Sequence, residues 1–377
     1  MRKIIYLFGL IICLSACTKK QESVCLFETS AYSSILDGKQ VSLYTLESRN
    51  GLYMQVTNFG GRVVSLWVPD KNGSYEDVVL GFESLDRAIN NGEERFLGPI
   101  VGRYANRIAN GKFEIDGTTY QVPVNNNGQS LHGGLKGLDL VVWDVDEVTE
   151  NEIQMSYVSP DGEEGYPGTV EYKMIYTLTA ENEFKITYEA VTDKPTIVNL
   201  SHHGVFNLKG QGNGTITDHI LTINASHITP VDNVLIPTGE INTVDGTPFD
   251  FRNPTAIGDR IDFDDEQMKN GMGYDHNWVV DKKTANEIEF IAELYEPNSG
   301  RVMEIWSDQP GIQFYSGNFF TGNTVGKYGK KLKHREGLAL ETQKFPDSPN
   351  QPNFPSTQLN PGETYNQACI YKFSVKK

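Results

Sequence analysis

Beyond an apolar leader, the dominant spacing of apolar and polar positions is two. Val170, Tyr172, Met174, Tyr176 and Leu178 alternate with Glu171, Lys173, Ile175 and Thr177. Phe184, Ile186, Tyr188 and Ala190 alternate in the same way with Lys185, Thr187 and Glu189, and Ala180-Glu181-Asn182-Glu183 separates the two runs. Successive side chains of an extended chain point to opposite faces, so this pattern predicts a hairpin with one buried face on each strand. Similar stretches predict strands at 41–47, 52–57, 62–68, 140–148, 152–158, 219–225, 286–294, 301–307, 311–316, 337–343 and 367–375. Helical spacing is confined to 83–90, 255–260 and 264–270. No repeat of about 20–50 residues is evident. Many short strands punctuated by Gly and Pro predict an all-β fold, a sandwich or a barrel.

The leader changes the picture of where the protein works. Arg2 and Lys3 precede Ile4 to Leu14, which is almost wholly apolar. That is the layout of a secretory signal, and it is too short to span a bilayer as a helix. The run ends Leu14-Ser15-Ala16-Cys17. This resembles a bacterial lipoprotein signal, which implies removal of residues 1–16 and a lipid on Cys17. An ordinary secretory peptide cleaved near Ala16 is the alternative. Polar residues then read as a tether over 17–34, followed by one domain over 35–377. Thr18, where an Asp commonly retains lipoproteins at the inner membrane, points to an outer-membrane anchor in a bacterial cell envelope. Cys13 belongs to the leader, so Cys25 and Cys369 remain. They either pair or stay as free thiols, and two cysteines do not make a disulfide framework.

Composition narrows the partner. The 377 residues carry 49 acids against 33 Lys and Arg, a formal net charge of -16. A nucleic-acid binder must neutralise phosphates with basic residues, so that class is excluded. A neutral substrate is compatible with the charge.

Several short segments carry chemistry. Gly102-Arg103-Tyr104-Ala105-Asn106-Arg107-Ile108 joins two guanidinium forks to an amide, donors that suit hydroxyls, although surface arginines in a turn look the same. His132 lies in the Gly-rich turn Ser130-Leu131-His132-Gly133-Gly134, where the backbone can approach a ligand closely; alone, such a His is as readily structural. His202 and His203 are adjacent on a strand and point to opposite faces, so at most one of them reaches a given pocket. Asp275 stands in Gly271-Met272-Gly273-Tyr274-Asp275-His276-Asn277-Trp278, a polar cluster in a Gly-rich loop beside aromatics, and either binds a ligand or organises its own turn. Gln313 belongs to Gln309-Pro310-Gly311-Ile312-Gln313-Phe314-Tyr315-Ser316-Gly317-Asn318. Glu341 follows Leu338-Ala339-Leu340 in a predicted strand. A carboxylate among apolar neighbours has a raised pKa and suits a general base, whereas a Glu on a solvent face would do nothing of the kind.

In this order the segments resemble the aldose 1-epimerase (galactose mutarotase) family. The resemblance rests on GRYANRIANGKF from 102, SLHGG from 130, NLSHHGVFNL from 199, LIPTGE from 235, GTPFDFR from 246, GYDHNW from 273, QPGIQFYSGNF from 309 and LALETQKFPDSPNQPNFP from 338. It covers nearly all of 35–377 and implies a large antiparallel β-sandwich. It also implies roles: Glu341 as general base, His203 as general acid, and Asn106, Arg107, His132, Asp275 and Gln313 as sugar-binding residues. The sequence departs from the family's pattern at His202, where Asn is common, and at Gly204-Val205, where Ser-Tyr is common.

The implied activity is interconversion of the α and β anomers of a free aldohexose such as galactose or glucose. It needs one base and one acid on a single pyranose. No electron moves and no group leaves, so the reaction calls for no cofactor and no metal. Three rivals make different demands. A sugar-binding protein of the same fold would not need the His203–Glu341 pair. An epimerase of hexose 6-phosphates would need more basic residues and a cytosolic setting. A metal hydrolase built on His132, His203, Asp275 and Glu341 would be expected to show a spaced ligand motif such as His-x-x-x-His, which is not present.

Overall fold

Val170–Leu178 and Glu183–Thr192 form the hairpin predicted from the period of two, with Met174 opposite Tyr188 and Tyr176 opposite Ile186. Tyr172, Met174, Tyr176, Phe184 and Ile186 are buried, while Glu171 and Lys173 face solvent. Each large apolar side chain so buried contributes roughly 1.5–3 kcal/mol. The turn closes at Asn182, whose φ of 60° lies in the left-handed region that Asn tolerates. The structure, a computed structural model, describes residues 24–377. The leader and Cys17 lie outside the described residues.

The hairpin belongs to a nine-stranded antiparallel sheet. Its order is 144–148, 152–159, 170–178, 183–192, 365–375, 301–307, 289–295, 220–223 and 255–256. A six-stranded sheet runs 205–206, 338–343, 311–315, 275–279, 227–229 and 242–243. A four-stranded sheet of 43–47, 53–57, 62–69 and 75–77 completes the layers. Met54 and Leu66 from the small sheet, Tyr176, Phe184 and Tyr371 from the large one, and Phe206, Phe314 and Leu340 from the six-stranded one share one continuous core. This is the antiparallel β-sandwich that the sequence implied.

Three expectations shift. The strand predicted at 140–148 begins only at Asp144, because Leu138–Leu140 form a 3-10 turn. Of the predicted helices, Leu85–Ile89 and Glu266–Gly271 form, capped by Ser84 and Asp265, while Ile257–Asp259 is a 3-10 turn. Part of the segment expected as a tether is packed on the domain, because the chain is held from Phe27 onward. Phe27 exchanges hydrogen bonds with the Gln55 amide (2.8 and 2.9 Å), and the fully buried Tyr32 donates to the Phe82 carbonyl at 2.8 Å. Cys25 is exposed, Cys369 is buried in the large sheet, and both are free thiols. No helix among the described residues is long and apolar enough to cross a membrane.

Candidate active site

Glu341, Gln313 and Asp275 come from three neighbouring strands of the six-stranded sheet. Gln313 pairs with Glu341 on one side and with Asn277 on the other, and Asp275 lies two residues before Asn277. Strand alternation therefore places all three on one face. Leu340, Phe314, His276 and Trp278 take the opposite face and are fully buried. This corrects the reading of 271–278 as a loop, since Asp275–Val279 is a strand inside the sheet. Its polar face meets a ligand cavity instead of solvent, and a polar face toward a cavity looks like a loop in sequence.

The other half of the site hangs on two short ribbons, Ile100–Val101 with Ser201–His202 and Arg107–Ile108 with Ser130–Leu131. The His203 backbone is clamped from both sides: its N–H donates to the Pro99 carbonyl at 2.9 Å, and its carbonyl accepts from Gly98 at 2.8 Å. His132 has φ 52° and donates from its backbone to the Asn106 carbonyl at 3.0 Å. Its Nδ1 accepts from the Asn106 N–H at 3.1 Å, which leaves the proton of the neutral ring on Nε2. Gly133 allows this turn, because a Cβ there would lie 1.9 Å from the Gly102 carbonyl oxygen.

These elements enclose a cavity of about 230 Å³ walled by Asn106, Arg107, His132, His203, Asp275 and Glu341. Sites for drug-sized ligands span about 300–1,000 Å³, so this one suits a monosaccharide better than a longer glycan. His203 Nε2 lies 3.6 Å from Glu341 Oε1. Arg107 Nη2 lies 3.7 Å from Asp275 Oδ2. Gln313 stands one layer behind the wall and donates to Asp275 Oδ1 at 2.8 Å, so it orients Asp275 instead of meeting a ligand directly. Glu341 Oε2 and Arg107 Nε have no hydrogen-bond partner among the described residues, and they offer an acceptor and a donor to a ligand.

His202 points away, as adjacency on a strand requires. Its ring lies edge-on to Tyr176, Phe184 and Tyr371 at 5.4–6.0 Å in the core. The spacing pattern gave no signal for Phe96, whose ring centre lies 4.6 Å from that of His132 and 5.9 Å from that of His203. Glu94 and Phe319 were missed equally; like Phe96 they sit on connecting segments of the cavity wall.

Burial governs the charges. It raises the Glu341 carboxyl well above the ordinary range, with Asp275 adding to the effect and Arg107 opposing it. It pushes the His203 imidazole down to about 4, against the pull of the carbonyls of His203 and Phe96. His132 is also held well below its usual value, by burial and then by His203, Arg107 and Arg95. Burial thus works against ionisation of both partners, favouring the protonated carboxyl of Glu341 and the neutral imidazole of His203.

His132, His203 and Glu341 also bring three potential metal-ligand atoms within 4.8 Å of one another. That donor set suits zinc, but Arg107, whose charge acts on both His132 and Glu341, disfavours a cation there.

A carboxyl and an imidazole facing each other in a monosaccharide-sized cavity define an acid–base site for proton transfer on a small polyol. The comparisons agree with this class. The aldose 1-epimerase family model matches residues 42–372. Galactose mutarotase of Bos taurus is 44% identical over 335 residues, covering 89% of this chain and 94% of that protein. Aldose 1-epimerase of Escherichia coli K12 is 34% identical over 339 residues, 89% of this chain and 96% of that one. Among solved structures, an aldose epimerase homologue from C. elegans superposes with a TM-score of 0.81 at 30% identity, covering 89% of this chain and all of that one. Galactose 1-epimerase from Lactobacillus acidophilus superposes with 0.78 at 28% identity, over 91% and 97%. The chain belongs to the aldose 1-epimerase family, and it is an isomerase.

Proposed function

We propose that the enzyme equilibrates the α and β anomers of free aldohexoses, galactose and glucose first among them, with Glu341 and His203 as the proton-transfer pair. The observation that carries this is their 3.6 Å approach within a cavity that also presents Asn106, Arg107, His132 and Asp275. One residue takes the proton from O1 while the other gives one to O5. The C1–O5 bond breaks, its electrons go to O5, and an open-chain aldehyde forms. Rotation about C1–C2 presents the other carbonyl face, and closure reverses both transfers.

The pair needs one proton in total. With the proton on His203, Glu341 is the base and His203 the acid; with it on Glu341, the roles exchange. Charge developing on O5 is met by donors that are already in place, the Arg107 guanidinium and the His132 Nε2–H. Each proton-transfer partner contributes on the order of 10²–10⁴-fold in rate. Polarimetry on freshly dissolved α-D-galactose and α-D-glucose tests the reading, using the detergent-solubilised full chain. Faster decay of rotation supports it, and no acceleration with any free aldose sinks it.

The same proposal places the enzyme on the bacterial envelope through a lipid on Cys17, on the strength of Leu14-Ser15-Ala16-Cys17 after an apolar run. There it would equilibrate sugars released outside the cytoplasm before uptake. Mass spectrometry of the mature N-terminus reads this directly. An acylated Cys17 is the expected result, and a chain that starts elsewhere or is unacylated rejects it.

A further inference from the structure

The segment 91–97 closes one side of the cavity and is pinned from below. Arg95 forks onto the fully buried Asp139 (Nε to Oδ2 2.7 Å, Nη2 to Oδ1 2.8 Å) and donates to the Gly134 carbonyl at 3.0 Å. The buried Arg62 donates to the carbonyls of Arg95 and Leu97 at 3.2 and 2.5 Å. The backbone of Glu94 itself is held in a turn by its N–H bond to Asn91 at 3.2 Å. Such a segment presents its side chains in fixed positions.

Two acids follow each other there and behave differently. Glu93 is at the rim and accepts from the Thr321 hydroxyl at 2.7 Å. Glu94 is only 9% exposed and lines the cavity with His132, His203, Asp275 and Glu341. Its carboxylate has no hydrogen-bond or ion-pair partner among the described residues. Buried carboxylates are ordinarily paired, so an unpaired one facing a binding cavity is an acceptor kept for a ligand. The cations nearby are engaged elsewhere, Arg95 by Asp139 and Arg107 by Asp275. Among the described residues of the cavity wall, each guanidinium already faces a carboxylate.

We propose that Glu94 is a specificity-determining residue of the sugar site. Its carboxylate accepts hydrogen bonds from hydroxyls of the bound aldose and turns away aldoses that carry a carboxylate or phosphate of their own. This rests on the aldose-epimerase reading of the cavity. Like charges brought together in a poorly solvated site are strongly disfavoured, and that repulsion, more than attraction, sets selectivity.

The test compares wild type, Glu94→Gln and Glu94→Ala as detergent-solubilised full chains at pH 8. Anomer exchange of galactose, galacturonate and galactose 6-phosphate is followed by NMR. Gln is close in shape to Glu and the replaced group bonds to nothing in the protein, so the fold should survive; melting curves check this. Glu94→Gln is expected to raise the galacturonate-to-galactose ratio of kcat/KM by about tenfold or more, with galactose 6-phosphate moving the same way. Glu94→Ala should raise the KM for galactose at least ~3-fold with a smaller change in kcat. Unchanged discrimination and unchanged KM in both variants would overturn the proposal. Calorimetric binding of the same sugars reads it without turnover. A shifted binding ratio upholds the role of Glu94 even where no exchange is seen, and the absence of exchange then counts against the catalytic reading alone.

Discussion

Replacing Glu341 with Gln should cost the enzyme its activity and make it more stable. The carboxamide matches the carboxyl in shape, so the packing around a side chain only 2% exposed is preserved. Removing one partner of an acid–base pair should lower kcat by about 10²–10⁴-fold. The stability effect follows from the raised carboxyl. Burial, aided by Asp275 and opposed by Arg107, makes the folded protein hold the Glu341 proton more tightly than the unfolded chain does. The stability this adds is complete below the unfolded value of about 4.3 and is lost as pH rises from there through the folded pKa, at about 1.4 kcal/mol per pH unit. Gln has no proton to lose. The variant should therefore match wild type at pH 4 and be the more stable of the two at pH 8. Urea unfolding at both pH values, beside anomer exchange by polarimetry, gives both readouts. An inactive variant that is less stable at pH 8 would refute the argument, since its inactivity would then reflect structural damage. An active variant would remove Glu341 from the chemistry.

Further outcomes follow from the same geometry. His203→Asn should lose at least ~100-fold in kcat with its melting curve little changed, and retained activity would reassign the acid. The pH profile of kcat/KM should fall on the acid side near 4, where a second proton enters the pair at His203, and on the alkaline side as the single shared proton leaves it. An acid limb at the ordinary histidine value of about 6.5 would contradict the buried, neutral imidazole. Arg107→Ala should raise the KM for galactose about tenfold, because it removes a sugar donor and leaves the buried Asp275 without its cation. Lys327, fully buried, donates to Asp77 at 2.5 Å and to the carbonyls of Val64 and Val79 at 2.8 Å, and it is not part of the cavity wall. Lys327→Met should lower stability by about 3–5 kcal/mol in urea unfolding while the kcat of the folded fraction stays within about twofold.

Much of this protein was legible in the order of its residues. A period of two is a local property, so the long strands 152–159, 170–178, 183–192, 301–307 and 365–375 could be read almost to the residue. The motifs around Asn106, His132, His203, Asp275, Gln313 and Glu341 named the site because residue type and spacing travel together within a family. Tertiary structure decided the rest. Asp275 opens the strand Asp275–Val279, and only the pairing of that strand with 311–315 shows that its carboxylate faces an enclosed cavity. Residues 27–34 look like a tether because their apolar side chains are few, yet the buried Tyr32 and the paired hydrogen bonds of Phe27 with Gln55 hold them on the domain. Glu94 and Phe96 sit where no periodic pattern reaches, and contacts more than thirty residues away in sequence, from Arg62 and Asp139, carry them to the site. Where the proton of the Glu341–His203 pair resides was also beyond the sequence, because desolvation depends on everything that surrounds a group in space and not on its neighbours in the chain.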